Sequence, residues 1–104
     1  MYKLNFLIPE SHLNEVKQAL FNIGVGRYEN YDQCCWQTKG QGQFRPLEGS
    51  TPHIGNPNEI SIVEEHKVEM LCEDALIKTA IQTLKKAHPY EMPAFEAWKV
   101  EFHG

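Results

Sequence analysis

Length, composition and charge limit this chain to a small globular protein. Its 104 residues are enough for one domain and too few for a second core. The hydrophobic share of 41% and the charged share of 23% exclude a chain that is disordered or membrane-embedded throughout. The net charge is -4, and Lys85 and Lys86 form the only adjacent basic pair, so a nucleic-acid-binding surface is not expected.

The N-terminus and the cysteines predict where the protein resides. No positively charged segment followed by an apolar one opens the chain, and no apolar run reaches the length of a membrane span. Cys34 and Cys35 are adjacent, so on a strand they would point to opposite faces and could not easily bond to each other. With Cys72 they make an odd set, for which reduced thiols are expected. We therefore predict a cytoplasmic protein with no membrane anchor.

The N-terminal part of the chain predicts a strand followed by a helix. Residues 2–8 mostly alternate between apolar and polar side chains, which is the period of a half-buried strand. Ser11 is then a plausible helix N-cap. The apolar residues that follow recur at steps of three and four: Leu13, Val16, Leu20 and Ile23. They indicate an amphipathic helix of about four turns, which ends at Gly24 and Gly26 because glycine accepts the left-handed conformation of helix C-termini.

The middle of the chain predicts a hairpin and an ordered loop. Residues 28–47 are interpreted as a long hairpin with its turn at Gly40-Gln41-Gly42. Pro46 then ends the second arm or places it at a sheet edge, because proline cannot donate a ladder hydrogen bond. Residues 48–58 contain two glycines and two prolines, so we expect an ordered loop without regular structure.

A long strand, a second helix and a final strand complete the pattern. The strand runs from about Ile60 to Cys72, but Glu64 and His66 interrupt its apolar face, which predicts that part of it lies outside the core and pairs with another subunit. The helix begins at Glu73 or Asp74. Its buried stripe consists of four residues: Ile77, Ala80, Ile81 and Leu84. Residues 95–102 form the last strand, with Trp98, Val100 and Phe102 on one face.

This order of elements predicts the fold class. With the hairpin of residues 28–47 counted as one unit, the order strand, helix, two strands, helix, strand is the α+β ferredoxin-like pattern (βαββαβ), an antiparallel sheet with two helices on one face. Residues 1–104 are expected to form one such domain.

The connection between the second helix and the last strand is the strongest candidate for a functional segment. It consists of His88-Pro89-Tyr90-Glu91. Because proline disfavours the helical conformation of the residue before it, the helix is expected to stop at or near His88. An imidazole, a phenol and a carboxylate then lie together on a loop held by a rigid scaffold, where binding groups often occur. The structural alternative is that His88 completes the helix end, Tyr90 fills the core and Glu91 is solvated.

Metal binding and nucleophilic catalysis are the chemical hypotheses that these residue types raise. A divalent metal ion would have to be held by ligands from distant segments, with His53, His66, His88 and Glu91 as candidates, because no local metal-binding spacing is present. Cys34 near His88 would be the thiol and base of a nucleophilic site. Its structural alternative is a small core residue.

Several motifs resemble known families. His88-Pro89-Tyr90-Glu91 followed by Pro93 looks like the HPYE signature of the CutA divalent-cation-tolerance proteins. A similarity over almost the whole chain is to the insert domain of YqfO-type members of the NIF-three-like family, which is also labelled GTP cyclohydrolase type-two-like. It is carried by the following segments in order: Gly24-Val25-Gly26, Tyr31, Cys34, Gly40-Gln41-Gly42-Gln43-Phe44-Arg45-Pro46, Pro52-His53-Ile54-Gly55 and Lys86-Ala87-His88-Pro89-Tyr90-Glu91.

The resemblance implies a CutA/PII-like ferredoxin-like domain that associates with copies of itself, as a trimer in preference to a dimer. It does not imply the enzyme label, since the two-metal site of the longer relatives looks to be supplied by domains that flank the insert. His53 departs from the hydrophobic aromatic residue expected at its position.

Two functional hypotheses follow. The first is a non-catalytic binding or regulatory module of PII/CutA type, whose clefts between subunits are formed by the loops of residues 40–55 and 88–93. His88, Tyr90, Glu91, Arg45 and His53 are its candidate ligand-binding residues, and backbone amides in these loops are suited to an anion. The second is a small metal-dependent hydrolase with His53, His66, His88 and Glu91 as ligands.

Overall fold

Four strands form one antiparallel sheet in the computed structural model, which describes residues 1–104. In chain order the strands are β1 (Tyr2–Pro9), β2 (Trp36–Phe44), β3 (Ser61–Cys72) and β4 (Phe95–Lys99). Their spatial order is β2-β3-β1-β4, and every neighbouring pair is antiparallel. With the two helices that connect them, this is the predicted ferredoxin-like α+β fold.

Two helices pack on one face of the sheet. Helix α1 (Leu13–Asn22) follows a short 3-10 turn at Glu10–His12, and α2 (Ile77–Ala87) follows a similar turn at Asp74–Leu76. The core between the helices and the sheet contains twelve buried residues: Leu4, Phe6, Ile8, Leu13, Val16, Leu20, Val25, Val68, Met70, Cys72, Ala80 and Leu84. These include most of the apolar positions that the helical and strand periods predict. Neither helix is of the length and apolar character needed to cross a membrane.

The ends of α1 differ in part from the prediction. Ser11 is not its N-cap: His12 holds that position, no side chain caps the helix, and the Ser11 hydroxyl instead bonds the His12 ring at 2.8 Å. The C-terminal end is as predicted, since Gly24 and Gly26 adopt φ angles of 101° and 81°. Side chains other than glycine rarely adopt such values.

The predicted hairpin with a turn at Gly40-Gln41-Gly42 is wrong. Those residues lie inside β2, which pairs continuously with β3 from Trp36 opposite Glu69 to Phe44 opposite Ser61. Neither glycine of this segment has a positive φ. Residues 45–60 make the real connection, and β2 ends before Pro46 at the sheet edge.

The paired arms of β2 and β3 extend past the end of β1. The ladder between β1 and β3 stops at Pro9 opposite Glu65, whereas β2 remains paired with residues 61–64 of β3. Ile60 and Ile62, near this end, are each 64% exposed. Part of the long strand therefore lies outside the core, and it pairs with β2 of the same chain.

The last strand is shorter than predicted, and its apolar face is different. β4 ends at Lys99, and its core-facing residues are Phe95 and Ala97, opposite Phe6 and Leu4 of β1. Trp98 points to the other face of the sheet and is 45% exposed. The alternation groups Trp98 with Val100 and Phe102, but it does not show which face is buried; the pairing with β1 decides this.

Candidate functional site

His88 attaches the loop after α2 to the end of β1. It is the C-cap of α2 with an extended backbone (φ -71°, ψ 135°), and it is only 6% exposed. Its Nε2 donates to the Leu7 carbonyl at 2.6 Å, and its Nδ1 accepts from the Tyr90 backbone N–H at 3.1 Å. A carbonyl only accepts and an amide only donates, so these two partners select the neutral ring with its proton on Nε2.

The surroundings of His88 favour that neutral ring. Burial lowers the pKa of His88 below its ordinary value, because it disfavours the charged imidazolium. The bond to Leu7 opposes this shift in part, while the nearby His12 and His53 add to it. The helix stop predicted at His88 is confirmed, and both ring nitrogens are engaged within the chain.

Tyr90 lies on His88 and reaches across to β3. The two ring centroids are 4.9 Å apart, and the Tyr90 hydroxyl donates to Oε2 of Glu65 at 3.1 Å. Burial raises the pKa of Tyr90, and the charge of Glu65 and the hydrogen bond to it raise it further. The phenol therefore remains protonated at neutral pH and acts as a hydrogen-bond donor.

Glu65 is a buried carboxylate that sequence analysis did not single out. It is 7% exposed, on the face of the sheet opposite the helices. It lies close against the backbone of β2, since a Cβ added to Gly42 would be 1.6 Å from Glu65 Oε1. A larger residue at position 42 would therefore displace the Glu65 carboxylate. Little in the sequence marks Glu65, because it is one of three glutamates in β3 and neither Tyr90 nor Gly42 is its neighbour in sequence.

The loop of residues 45–60 folds back over the His88–Glu91 segment. The backbone N–H of Thr51 donates to Glu91 Oε2 at 3.0 Å, and the rings of His53 and Tyr90 lie 6.2 Å apart. His53 also meets the His12 ring edge-on, with centroids 5.5 Å apart. The two loops expected to meet between subunits thus meet within one chain.

A cleft of about 490 Å³ lies between these loops and the arms of β2 and β3. Its polar lining comes from seven side chains: Gln43, Arg45, Ser50, His53, Glu65, Tyr90 and Glu91. Its large apolar lining comes from Leu7, Phe44, Leu47, Ile54 and Met92. Four of the five candidate ligand-binding residues therefore line one cleft, and His88 lies beside it under Tyr90.

The four candidate metal ligands do not form a metal site. No group of three or more His, Cys, Asp or Glu side chains is placed to hold a metal ion. Both nitrogens of His88 have other partners. His66 is opposite Ile8 and so lies on the helix-covered face, away from Glu65. Within one chain, the four candidate ligands therefore do not converge on a common position.

Cys34 and His88 are also separated. The Cys34 backbone N–H bonds the Gly26 carbonyl, and the Gly26 N–H bonds the Leu71 carbonyl opposite Lys3. His88 instead contacts Leu7, which lies four residues beyond Lys3 along β1. The two contact points are therefore about 13 Å apart. The thiol and the imidazole do not form a nucleophile and base pair.

The fold is that of the CutA/PII-like proteins. The solved PII-like protein CutA from a Nostoc species superimposes with a TM-score of 0.70, covering 97% of this chain and 82% of its own, at 19% sequence identity. That similarity establishes the fold. No family model matches the chain.

Sequence comparison confirms the similarity to the NIF-three-like family. The chain is 35% identical over 104 residues to the GTP cyclohydrolase 1 type 2 homolog of Halalkalibacterium halodurans, covering 100% of this chain and 28% of that protein. A solved Bacillus cereus protein related to NIF3 superimposes with a TM-score of 0.82 at 30% identity, covering 97% of this chain and 26% of its own. The chain is thus similar to one segment of these longer proteins and spans about a quarter of their length.

Proposed function

We propose that the protein is a non-catalytic binding or regulatory module of PII/CutA type, formed by residues 1–104 as one cytoplasmic domain that self-associates. The observation that supports this most strongly is the cleft of about 490 Å³ between the two loops. A cavity of this size, mostly apolar with a few converging polar groups, is typical of a small-molecule binding site.

The chemistry of the cleft supports binding in preference to catalysis. Tyr90 has a raised pKa, so its hydroxyl does not ionise at neutral pH. The imidazole of His88 is buried and hydrogen-bonded on both nitrogens, so it has no free position for proton transfer to a ligand. These groups hold the loop in place and shape the wall of the cleft.

The metal-dependent hydrolase hypothesis gains no support from the placement of its candidate ligands. Elemental analysis of the purified protein tests it directly. About one equivalent of metal per chain, lost in a His88→Ala variant that still folds, would favour the hydrolase. We expect no stoichiometric metal.

Exposed aromatic residues on the uncovered face of the sheet support self-association. Trp36 is opposite Glu69 and Trp98 is opposite Lys3, which places both on the face that carries no helix. They are 67% and 45% exposed. Large apolar side chains on an open sheet face are typical of protein interfaces. We propose that this face and the extended arms of β2 and β3 join copies of the chain, as a trimer in preference to a dimer.

Sedimentation equilibrium tests the assembly. We expect a mass that is three times, or else two times, the 12.0 kDa of one chain. Trp36→Glu should shift the protein toward the monomer, because the charge would have to be buried without a partner. Tyr31→Glu is the matched control, since Tyr31 is 72% exposed but lies outside the sheet. A monomeric parent at micromolar concentration would refute self-association.

Binding is tested separately by a small-molecule screen that follows thermal stability. The proposal predicts ligands whose stabilising effect is reduced when Met92, part of the apolar wall of the cleft, is changed to Ala. A parent protein that responds to no compound, or only to compounds unaffected by this change, would contradict a binding function of the cleft.

A further inference from the structure

We infer that the cleft binds a small organic cation, an ammonium group carried on an apolar body, and that Glu65 is the residue that recognises the ammonium. This inference rests on the proposed binding function of the same cleft and adds the chemical class of its ligand.

Glu65 is a carboxylate whose hydrogen-bonding capacity is mostly unused. It is 7% exposed, and it accepts one hydrogen bond, which the neutral Tyr90 hydroxyl donates to Oε2. No Lys, Arg or His nitrogen lies within ion-pairing distance of it, since the ion pairs of the chain involve other acidic residues: Asp74, Glu64 and Glu101. An ionised carboxylate offers about four acceptor positions. Buried charges in proteins are normally paired, so Glu65 lacks the partner that its position calls for.

The side chain of Glu65 forms part of the wall of the cleft. Its Oε1 lies over Gly42, where a larger residue would occupy the same space. Glycine at this position keeps the carboxylate beside the cavity. Oε1 has no hydrogen-bond partner in the chain, because Tyr90 binds only Oε2, and it is not among the atoms fully shielded from solvent, so a donor could reach it.

The other polar groups of the cleft favour a cation over the anion expected from the loop sequences. The backbone N–H of Thr51, which an anion would use, already donates to Glu91. Glu91 and Glu65 add two carboxylates to the lining, against the single guanidinium of exposed Arg45. An anion would therefore meet more acidic than basic side chains in this lining.

The remainder of the lining suits an apolar body. Phe44, Leu47, Ile54 and Met92 lie around the same cavity, and the Phe44 ring is 6.1 Å from that of Tyr90. A ligand with an ammonium at one end and an aromatic or aliphatic body at the other would bury the body against these residues. Its charged end would reach Glu65.

Three probes of matched shape and different charge test the inference by isothermal titration calorimetry at pH 7. The probes are 2-phenylethylamine (cationic), 2-phenylethanol (neutral) and 3-phenylpropanoate (anionic). We expect the amine to bind roughly tenfold to a hundredfold more tightly than the alcohol, the range of a hydrogen bond to a charged group. We expect the anion to bind more weakly than the alcohol.

Substitutions then assign the effect to Glu65. Glu65→Gln keeps the shape and the acceptor for Tyr90, and it should reduce the affinity for the amine to about that for the alcohol. Glu64→Gln is the matched control, because Glu64 is exposed and pairs with Lys39 at 3.5 Å. It should leave the preference for the amine unchanged.

The outcomes separate this inference from the proposed function. If the alcohol or the anion binds as tightly as the amine, or if Glu65→Gln keeps the amine preference, the charge assignment is wrong while the binding function stands. If none of the probes binds, the inference is refuted, and the screen for other ligands still decides the binding function. The comparison of the three probes on the parent protein holds even if Glu65→Gln does not fold.

Discussion

Acid should destabilise the folded protein through His88, and replacing this residue should remove that effect. The pKa of His88 is lowered below 6.5 in the folded state by burial, while the unfolded chain keeps the ordinary value. At a pH between the folded and the unfolded pKa of His88, the imidazole carries a proton in the unfolded state and is neutral in the folded state. The contribution of His88 to the free energy of unfolding is therefore at its full value above pH 6.5 and is lost as the pH falls toward the folded pKa.

The size of the effect follows from proton linkage. One group of this kind lowers the free energy of unfolding by up to about 1.4 kcal/mol for each pH unit within that window. Protonation places a hydrogen on Nδ1, where it would face the Tyr90 backbone N–H now 3.1 Å away. The loop that walls the cleft would thereby lose the hydrogen bond from Tyr90 to the His88 ring.

Urea unfolding at a series of pH values from 7.5 to about 5 measures this slope. His88→Gln keeps a donor for the Leu7 carbonyl but cannot titrate, so its stability should fall less steeply than that of the parent. His103→Gln is the control, because the His103 side chain is 79% exposed and its loss should leave the slope unchanged. Equal slopes for the parent and His88→Gln would refute the assignment of a buried neutral imidazole.

Two further predictions concern the groups around Glu65. Tyr90→Phe removes the only hydrogen bond to this buried carboxylate. The free energy of unfolding, measured by urea titration, should therefore fall by about 1.5–3 kcal/mol. A change below about 0.5 kcal/mol, the scale of ordinary surface substitutions, would show that the bond is not formed. Gly42→Ala should cost about 1–3 kcal/mol, because its Cβ would overlap the carboxylate. Gly40→Ala, where a Cβ meets nothing within 4 Å, is the control and should be neutral or slightly stabilising. Equal effects of the two alanines would contradict the packing of Glu65 on β2.

Local patterns were sufficient to predict most of the fold. The strand at residues 2–8, the stripe of α1 and the stop of α2 at His88 depend on periods and backbone preferences that act over a few residues. Together with the order of elements, they predicted the ferredoxin-like topology.

The errors occurred where long-range contacts decide the structure. Gly40 and Gly42, two residues apart in a polar run, are typical of a turn, yet both lie inside β2, where the Glu65 side chain of the neighbouring strand packs against Gly42. In the last strand, the aromatic residues suggest one apolar face with Trp98, but the register with β1 places Ala97 on the core side, opposite Leu4. Neither relation is present in the local sequence.

The candidate site was predicted in part for the same reason. Tyr90 and Glu91 stand out because they lie on a loop next to a helix stop, and the structure brings Arg45 and His53 to the same cleft. Glu65 was missed because it is 25 residues from Tyr90 and its importance comes from burial without a counter-ion. His66 was chosen as a ligand by residue type alone, and the alternation of β3 places it on the other face.

The most direct measurement is a crystal structure of the protein grown with 2-phenylethylamine. We predict the ammonium within hydrogen-bonding distance of Glu65 Oε1, with the phenyl ring against Phe44 and Met92. A probe bound elsewhere, or bound in the cleft with its ammonium directed to solvent and Glu65 paired with another residue, would contradict recognition of a cation by Glu65.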